Sequence, residues 1–461
     1  MPRHDSSTQR ARSTDATLPW EARPSAELLR LSWPIAISTL SYSVMTLVDT
    51  LFVGRLGPAA LAGVGLGGHA AFTLVCFALG LLRGVKVLVS QAVGAGRRHE
   101  ARDHVATGLA AALLLGVLAA VLGQGMAELL PRIAATEASG RAAADYHAVR
   151  MLGSPVFLAY VALREVRYGL GDSRSPMIAT LLGNGTNVAL DALFILGLDW
   201  GVTGAAWATL AGHAVEAVVL TGGLRASSLG AVRLGSLRAL MRVGVPTGLQ
   251  FFIEVGSFAL LAALLAALGE TEMAAHQVAL QVVHFAFLPC HAVAEAASVL
   301  AGQAMGAQRP KLVPALGRQA LALTGAWGAL SMVVLLAFGG PIARAFTDDP
   351  GLVAAVRALL VVAAAFVMAD GANLTFRGLL RGAGDVRYPA VVTVTASWVF
   401  TPPLTYLLGY RMHLGALGGW LGLLLEIVVG AALLGWRLYR GGWRDAATRT
   451  LAANAADLDA A

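Results

Sequence analysis

Apolar runs of about 20 residues or more recur along nearly the whole chain, separated by short polar and basic connections. A run of that length crosses a hydrocarbon core of about 30 Å as an α-helix. Twelve spans are expected, near residues 31–55, 59–86, 104–125, 142–163, 177–198, 202–224, 242–268, 273–300, 316–338, 353–376, 388–410 and 415–437. The fold class expected is an all-α membrane protein, twelve transmembrane helices arranged as two lobes of six.

Composition agrees. Of 461 residues, 57% are hydrophobic and only 13% charged, where a soluble domain carries about a quarter charged. The 53 glycines show no collagen-like period and suit helices that approach closely within a bilayer. Residues 1–28 are polar and basic, with Arg3, Arg10, Arg12 and Arg23, and lack the short apolar core and cleavage site of a secretory signal. They are expected to form a disordered cytoplasmic tail up to Trp20, with Ala26–Arg30 lying along the interface. Cys76 and Cys290 both fall inside apolar runs and are read as small buried hydrophobes.

The charges are distributed unevenly. Arginine and lysine concentrate in alternate connections and at both ends, as at Arg97, Arg98, Arg102, Arg164, Arg167, Arg174, Arg233, Arg238, Arg309, Lys311, Arg377, Arg381, Arg437 and Arg444. The other connections are acidic or neutral, as at Asp199, Glu270, Glu272, Asp348 and Asp349. Positive loops stay inside, so both termini are expected in the cytoplasm of a bacterial inner membrane. The arginines are scattered over short loops and form no stripe, so nucleic acid is not an expected partner.

The two halves repeat. Pro34 aligns with Pro246, Leu56–Gly57 with Leu268–Gly269, and Ser90–Ala95 (SQAVGA) with Gly302–Ala307 (GQAMGA), each 212 residues apart. Gly171–Pro176 aligns with Gly384–Pro389, and Trp207 with Trp420, 213 apart. An even number of spans per half gives both the same orientation, hence a parallel pseudo-two-fold repeat about the membrane normal. The expected organisation is a tail (1–28), an N-lobe (29–224), a basic cytoplasmic linker (225–240), a C-lobe (241–440) and a C-terminal tail (441–461). Rocking two such lobes would expose a cleft to each side in turn.

A charge inside the bilayer costs about 2.5–3.5 kcal/mol or more and needs a reason. Asp49 lies in span 1 six residues before Arg55, and Asp191 in span 5 seven before Leu198, each roughly 9–10 Å from the outer surface at about 1.5 Å per residue. Asn187 stands one turn deeper than Asp191 on the same face, Asn184 about a turn deeper again, and Thr209 of span 6 reaches a similar layer. Two carboxyls so placed repel one another and are poorly solvated, the setting in which such a group takes a proton or binds Na⁺. The second half carries Glu254, Asp370 and Glu426 at positions that do not repeat Asp49 or Asp191; Glu254 or Asp370 is expected to contact a cation or a cationic substrate. Arg83 and Lys86 are expected to snorkel to the cytoplasmic interface, and His276, His284 and His291 to serve as polar packing without forming a metal site. No G-x-x-x-x-G-K-[ST] loop is present, so ATP is not the expected energy source.

In these features the chain resembles the multidrug and toxic compound extrusion (MATE) family over roughly residues 28–440. The resemblance rests on Pro34 with Val48–Gly57 (VDTLFVGRLG), Ser90–Gly96, Gly169–Asp172, Asn187–Asp191, Gly201–Thr209 (GVTGAAWAT), Ala275–Gln277 and Gly302–Gln303. It implies the MATE fold and an antiporter that exports drugs or toxic metabolites in exchange for H⁺ or Na⁺. It implies further that Asp49, Asn187, Asp191 and Thr209 form a DinF-like coupling site in the first lobe. Glu254 and Asp370 resemble the second-lobe acids of NorM-like members, and Pro34 the proline about which helix 1 bends. No cofactor is implied beyond the coupling ion, the partners are small amphipathic, cationic organic molecules and the lipid bilayer, and the unit expected to work is a monomer. The rival within the same superfamily is a flippase for lipid-linked precursors, which lines its cleft with arginine; a membrane enzyme is disfavoured because no nucleophile–base or metal constellation appears.

Overall fold

The computed structural model describes residues 18–222 and 230–459. The expected tail lies outside the described residues over 1–17, and the expected linker over 225–229. The described chain consists of helices: α1 Pro24–Gly54, α2 Pro58–Gly94, α3 Arg98–Ala127, α4 Glu137–Leu152, α5 Ser154–Gly169, α6 Arg174–Asp191 and α7 Gly201–Thr221 in the first half. The second half supplies α8 Leu234–Leu268, α9 Glu270–Gly306, α10 Leu312–Arg344, α11 Pro350–Ala383, α12 Arg387–Leu404, α13 Ala416–Arg440 and a terminal α14 Trp443–Asp459.

Eleven of the described helical segments are long and apolar enough to cross a membrane. The twelfth expected span, 142–163, is divided between α4 and α5, each of 16 residues. The break falls at Gly153, followed by Pro155 at the start of α5. Proline lacks an N–H and its ring crowds the preceding turn, so it begins a helix more readily than it continues one. Leucine, valine and phenylalanine side chains remain exposed along α3, α10 and α12, as surfaces facing lipid do.

The repeat extends to the backbone. Left-handed residues recur at the same offsets: Gly57 with Gly269 and Gly96 with Gln308, 212 apart, and Gly171 with Gly384, 213 apart. The wide π-helical turns that prolong α6 (Ala192–Gly197) and α12 (Thr405–Arg411) start 213 apart. Packing follows the same scheme, α6 lying on α7 as α12 lies on α13, and α3 on α5 as α10 lies on α11. The halves diverge at α11, which runs unbroken where α4 and α5 are interrupted. They diverge again at the paired tryptophans. Trp420 is fully buried and donates its Nε1–H to His276 Nδ1 at 3.2 Å, whereas Trp207 is substantially exposed.

The described residues form two compact units, one within Pro34–Val89, Arg98–Phe252 and Ala453–Ala461, the other within Met1–Trp33, Ser90–Arg97 and Ile253–Ala452. We refer to them as the N-unit and the C-unit. Within the N-unit α2 meets α8 glycine to glycine: a Cβ on Gly80 would stand 2.7 Å from Gly248 Cα, and one on Gly84 3.1 Å from Gly244 Cα. Both pairs are spaced G-x-x-x-G, which lets backbones approach closely in lipid, where apolar burial between helices gains little. Within the C-unit the repeated motif packs against its own copy. A Cβ on Gly94 would stand 2.0 Å from the Gln303 carbonyl oxygen, and one on Gly306 1.9 Å from that of Gln91. The two glutamines hold the crossing, Gln91 Nε2 donating to Gly382 O at 3.1 Å and Gln303 Oε1 accepting from buried Trp20 Nε1 at 2.7 Å.

Because both obstacles are backbone, they cannot yield by side-chain rotation. Gly94→Ala and Gly306→Ala are each expected to destabilise the protein by about 1–3 kcal/mol, the usual cost of overpacking, seen as a lower melting midpoint in detergent. Gly325→Ala, at a helix position with nothing near its Cβ, is expected to leave that midpoint unchanged.

Candidate functional site

In the N-unit, α1 delivers Asp49 and α6 delivers Asp191, and the two carboxyls are near enough to act on each other electrostatically. Asn187, one turn from Asp191 on α6, donates its Nδ2–H to Thr209 Oγ1 on α7 at 3.5 Å, and that hydroxyl donates to Ala205 O at 2.9 Å. Asn184, a turn further along α6, donates to Ser41 Oγ at 2.7 Å. Asn187 thus meets Thr209 across α6 and α7, and Asp49 and Thr209 line one cavity. Asn187 and Asp191 are fully buried.

The hydrogen-bond inventory is incomplete in a specific way. Asp49 Oδ1, Asn187 Oδ1 and both carboxyl oxygens of Asp191 are buried without a donor. Buried acceptors are normally satisfied, and leaving one bare costs about 1–3 kcal/mol, more when charged. Two ionised carboxylates this near would also repel. A proton shared between them, or a cation held among the oxygens, removes both penalties. An all-oxygen donor set suits a hard ion rather than a soft metal.

Beside this layer a cavity of about 430 Å³ opens within the N-unit. Tyr42, Asp49, Phe72, Tyr146, Arg150 and His213 are among its walls. Arg150 and His213 were not singled out by sequence. Arg150 stands in the last turn of α4, just before the break at Gly153, and lines the cavity, where its Nε is buried without a partner. The available signal was a charge inside an apolar run, 142–163, which needs a reason as much as Asp49 does. One guanidinium against two ionised carboxyls leaves the site with one excess negative charge, which a single proton or monovalent cation neutralises.

Lys86 departs from expectation. Helix α2 continues eight residues beyond it to Gly94, roughly 12 Å at about 1.5 Å per residue, so the ammonium does not snorkel to the interface. It is 1% exposed, with Nζ 3.6 Å from Glu165 Oε2, and Glu165 Oε1 accepts from Arg164 at 3.2 Å. Arg83 stacks over Phe251, 5.2 Å from the ring centre.

In the C-unit, Glu254 accepts from Arg377 Nη1 at 2.9 Å and Glu295 from Arg381 Nη2 at 2.9 Å. Both arginines had been assigned to a connection. Helix α11 instead carries through them and stops at Gly384, whose φ of 99° closes the helix, a conformation glycine adopts without strain. Asp370 and Glu426 are buried, and Glu426 accepts from the Thr401 hydroxyl. Arg377 acts electrostatically on Asp370 and Glu426 as well as on Glu254. Three carboxyls thus gather about one guanidinium.

The MatE family model matches the chain twice, over residues 34–193 and 246–407, starting at the two repeated prolines. The chain is 32% identical over 446 residues to a probable multidrug resistance protein NorM of Burkholderia pseudomallei, covering 93% of this chain and 95% of the relative. It is also 32% identical over 429 residues to the probable NorM of Deinococcus radiodurans, covering 90% and 95%. Among solved structures, a MOP superfamily transporter from Pyrococcus furiosus superposes with a TM-score of 0.84 at 22% identity, covering 93% of this chain and 96% of that one. A eukaryotic MATE transporter gives 0.84 at 19% identity, covering 93% and 98%. The chain belongs to the MatE family, and its fold is that of MATE transporters, twelve helices in two lobes.

Removing one member of a buried ion pair strands its partner, at a cost of about 3–5 kcal/mol. Glu165→Leu is accordingly expected to lower the detergent melting midpoint sharply. The double substitution Glu165→Leu with Lys86→Met, which replaces the pair by apolar groups, is expected to recover most of the loss in the same assay.

Proposed function

We propose that this MatE-family chain is a secondary antiporter of the inner membrane, exporting amphipathic, cationic organic compounds from the cytoplasm in exchange for H⁺ or Na⁺. The observation that carries the reading is the grouping of Asp49, Asn187 and Asp191, four of whose oxygens are buried without a donor. Such a site is most stable when it holds a positive charge that can come and go. Supporting it, the relatives are named as probable multidrug resistance proteins, and the adjacent cavity has aromatic walls in Tyr42, Phe72, Tyr146 and Phe157. Flat aromatic faces attract organic cations without demanding one shape.

In this cycle Asp49 and Asp191 capture a proton or Na⁺ from outside, with Asn187 and Thr209 completing the oxygen set. Neutralising the layer reshapes α1 about Pro34 and releases the substrate outward. Loss of the ion toward the cytoplasm restores the charge and resets the cavity. Glu254 and Asp370 serve the C-lobe as a second cation or substrate site, opened when Arg377 lets go of Glu254. The gradient suffices: about 2.3 kcal/mol per charge per 100 mV, and about 1.4 kcal/mol per pH unit. The basic alternate loops orient both termini to the cytoplasm, and a monomer contains the whole site.

The test is efflux of ethidium from proteoliposomes under an imposed pH gradient and, separately, a Na⁺ gradient. Wild type is expected to move dye under one of them, and Asp49→Asn and Asp191→Asn to lose at least tenfold in rate. If neither gradient drives dye from correctly oriented, folded protein, the antiporter reading fails.

A further inference from the structure

One buried group near the carboxyl pair has no part in the cycle above. His213 lies on α7 one turn beyond Thr209, and Glu216 three residues further, so Thr209, His213 and Glu216 share a face and all are buried. His213 Nδ1 is 2.8 Å from Glu216 Oε2. The imidazole packs on Phe157, with centroids 4.7 Å apart, and stacks on Tyr160 at 5.7 Å and 16°. Its Nε2 is buried with no partner, and the ring lines the cavity that also holds Asp49, Arg150 and Thr209.

The local sequence makes room for this pair. Gly183 on α6 faces it: a Cβ there would stand 2.4 Å from Glu216 Cγ, so the lack of a side chain at Gly183 admits the carboxylate between α6 and α7. Tyr160 is fixed in turn by Thr180 Oγ1 at 3.3 Å and by the Arg164 guanidinium 5.6 Å from its ring centre. Polar groups therefore continue inward from the Asp49–Asp191 layer, through His213 and Glu216, to Tyr160, Thr180 and Arg164.

The titratable and charged groups around His213 set its task. Two acids, Asp49 on α1 and Glu216 on its own helix, and two guanidinium groups, Arg150 on α4 and Arg164 on α5, surround the ring; α2 contributes His69 to the cavity wall, and α6 contributes Gly183 and Thr180. A carboxylate that accepts from Nδ1–H fixes the tautomer and leaves the Nε2 lone pair as the available base. Asp49 of the carboxyl pair and the imidazole line the same cavity, and charge on either changes the energy of the other.

We infer that His213, oriented by Glu216, is a second proton-carrying station of the transport cycle, receiving the proton that the Asp49–Asp191 pair gives up. The inference rests on the antiporter reading with H⁺ as the coupling ion. In the step, a proton leaves the shared carboxyl pair and bonds to Nε2. The pair becomes fully ionised, and the ring becomes an imidazolium whose Nδ1–H stays on Glu216. When the cavity faces the cytoplasm, Nε2 returns the proton to water and the neutral tautomer is restored. One proton is moved, and no other bond is made or broken. The carboxyl layer, left negative next to the aromatic walls, is then the attractive partner for a cationic substrate.

His213→Gln separates this role from a structural one, because its amide can still donate to Glu216 but cannot carry a proton. In proteoliposomes under a pH gradient, His213→Gln is expected to export ethidium at least tenfold more slowly than wild type. Its melting midpoint is expected to be unchanged, and ethidium affinity in detergent to stay within about twofold. Glu216→Gln, which removes the charge supporting the imidazolium, is expected to transport with a half-maximal rate reached only at lower pH, a change that packing alone would not produce. If Asp49→Asn abolishes pH-driven efflux while His213→Gln retains the wild-type rate and pH profile, the station is disproved and the antiporter reading stands. Should His213→Gln fail to fold, an unshifted profile in Glu216→Gln overturns the inference. If the wild type is not driven by a pH gradient at all, the proton premise fails and the inference falls with it.

Discussion

An uncompensated charge in hydrocarbon costs several kcal/mol, and that penalty accounts for most of the polar architecture of this protein. Lys86 finds Glu165, which Arg164 also contacts; Arg377 finds Glu254; Arg381 finds Glu295. Each pair joins two helices, except for the Arg164–Glu165 neighbours, so compensation and helix positioning are the same event. Pairing of this kind contributes little net stability, because desolvation consumes most of the Coulomb gain. What it does is make misplacement expensive, fixing which turn of one helix faces which turn of another.

The helices themselves are held mainly by shape. Between helices already surrounded by lipid, apolar side chains gain little from leaving one hydrocarbon for another. Close contact of small residues is the remaining source of attraction, as at Gly80 and Gly84 against Gly248 and Gly244. The reciprocal seating of Gly94 on Gln303 and Gly306 on Gln91 shows why the duplicated motif kept both its glycine and its glutamine. Each copy is the other's socket. A duplicated segment that packs on its own copy is constrained twice over, since a change in either half must suit both.

Span number, repeat offset and the polar layer of the first half were legible because they follow from hydropathy, spacing and helical rise, all local properties. Asp49, Asn187, Asp191 and Thr209 could be expected near one another from residue counts alone. Arg150 could not, because it stands just before the break at Gly153, which a hydropathy run of normal length conceals. Lys86 was misread for a related reason: two nearby cations, Arg83 and Lys86, looked like the end of the span, but Val87, Leu88 and Val89 continue it and α2 persists to Gly94 on contacts with α9. Arg377 and Arg381 looked like loop residues until Glu254 and Glu295 supplied their partners. Pairings across more than 80 residues are tertiary facts.

The two units differ in how completely their acids are satisfied, and this bears on where a change of charge has leverage. In the C-unit Glu254 and Glu295 are held by guanidinium groups, Glu426 by a hydroxyl, and Asp370 lies in the field of Arg377. In the N-unit four oxygens of Asp49, Asn187 and Asp191 have no donor. A ligand shifts a conformational equilibrium only by the difference in its affinity for the two states, and a cation arriving at satisfied acids must first displace their partners. Arriving at bare oxygens, it delivers its full interaction energy. The cavity beside those oxygens includes Gly153 and Ser154, the point where one span is already broken in two. Leverage and a yielding backbone thus coincide in the N-unit, and the unbroken α11 offers no such point in the other half.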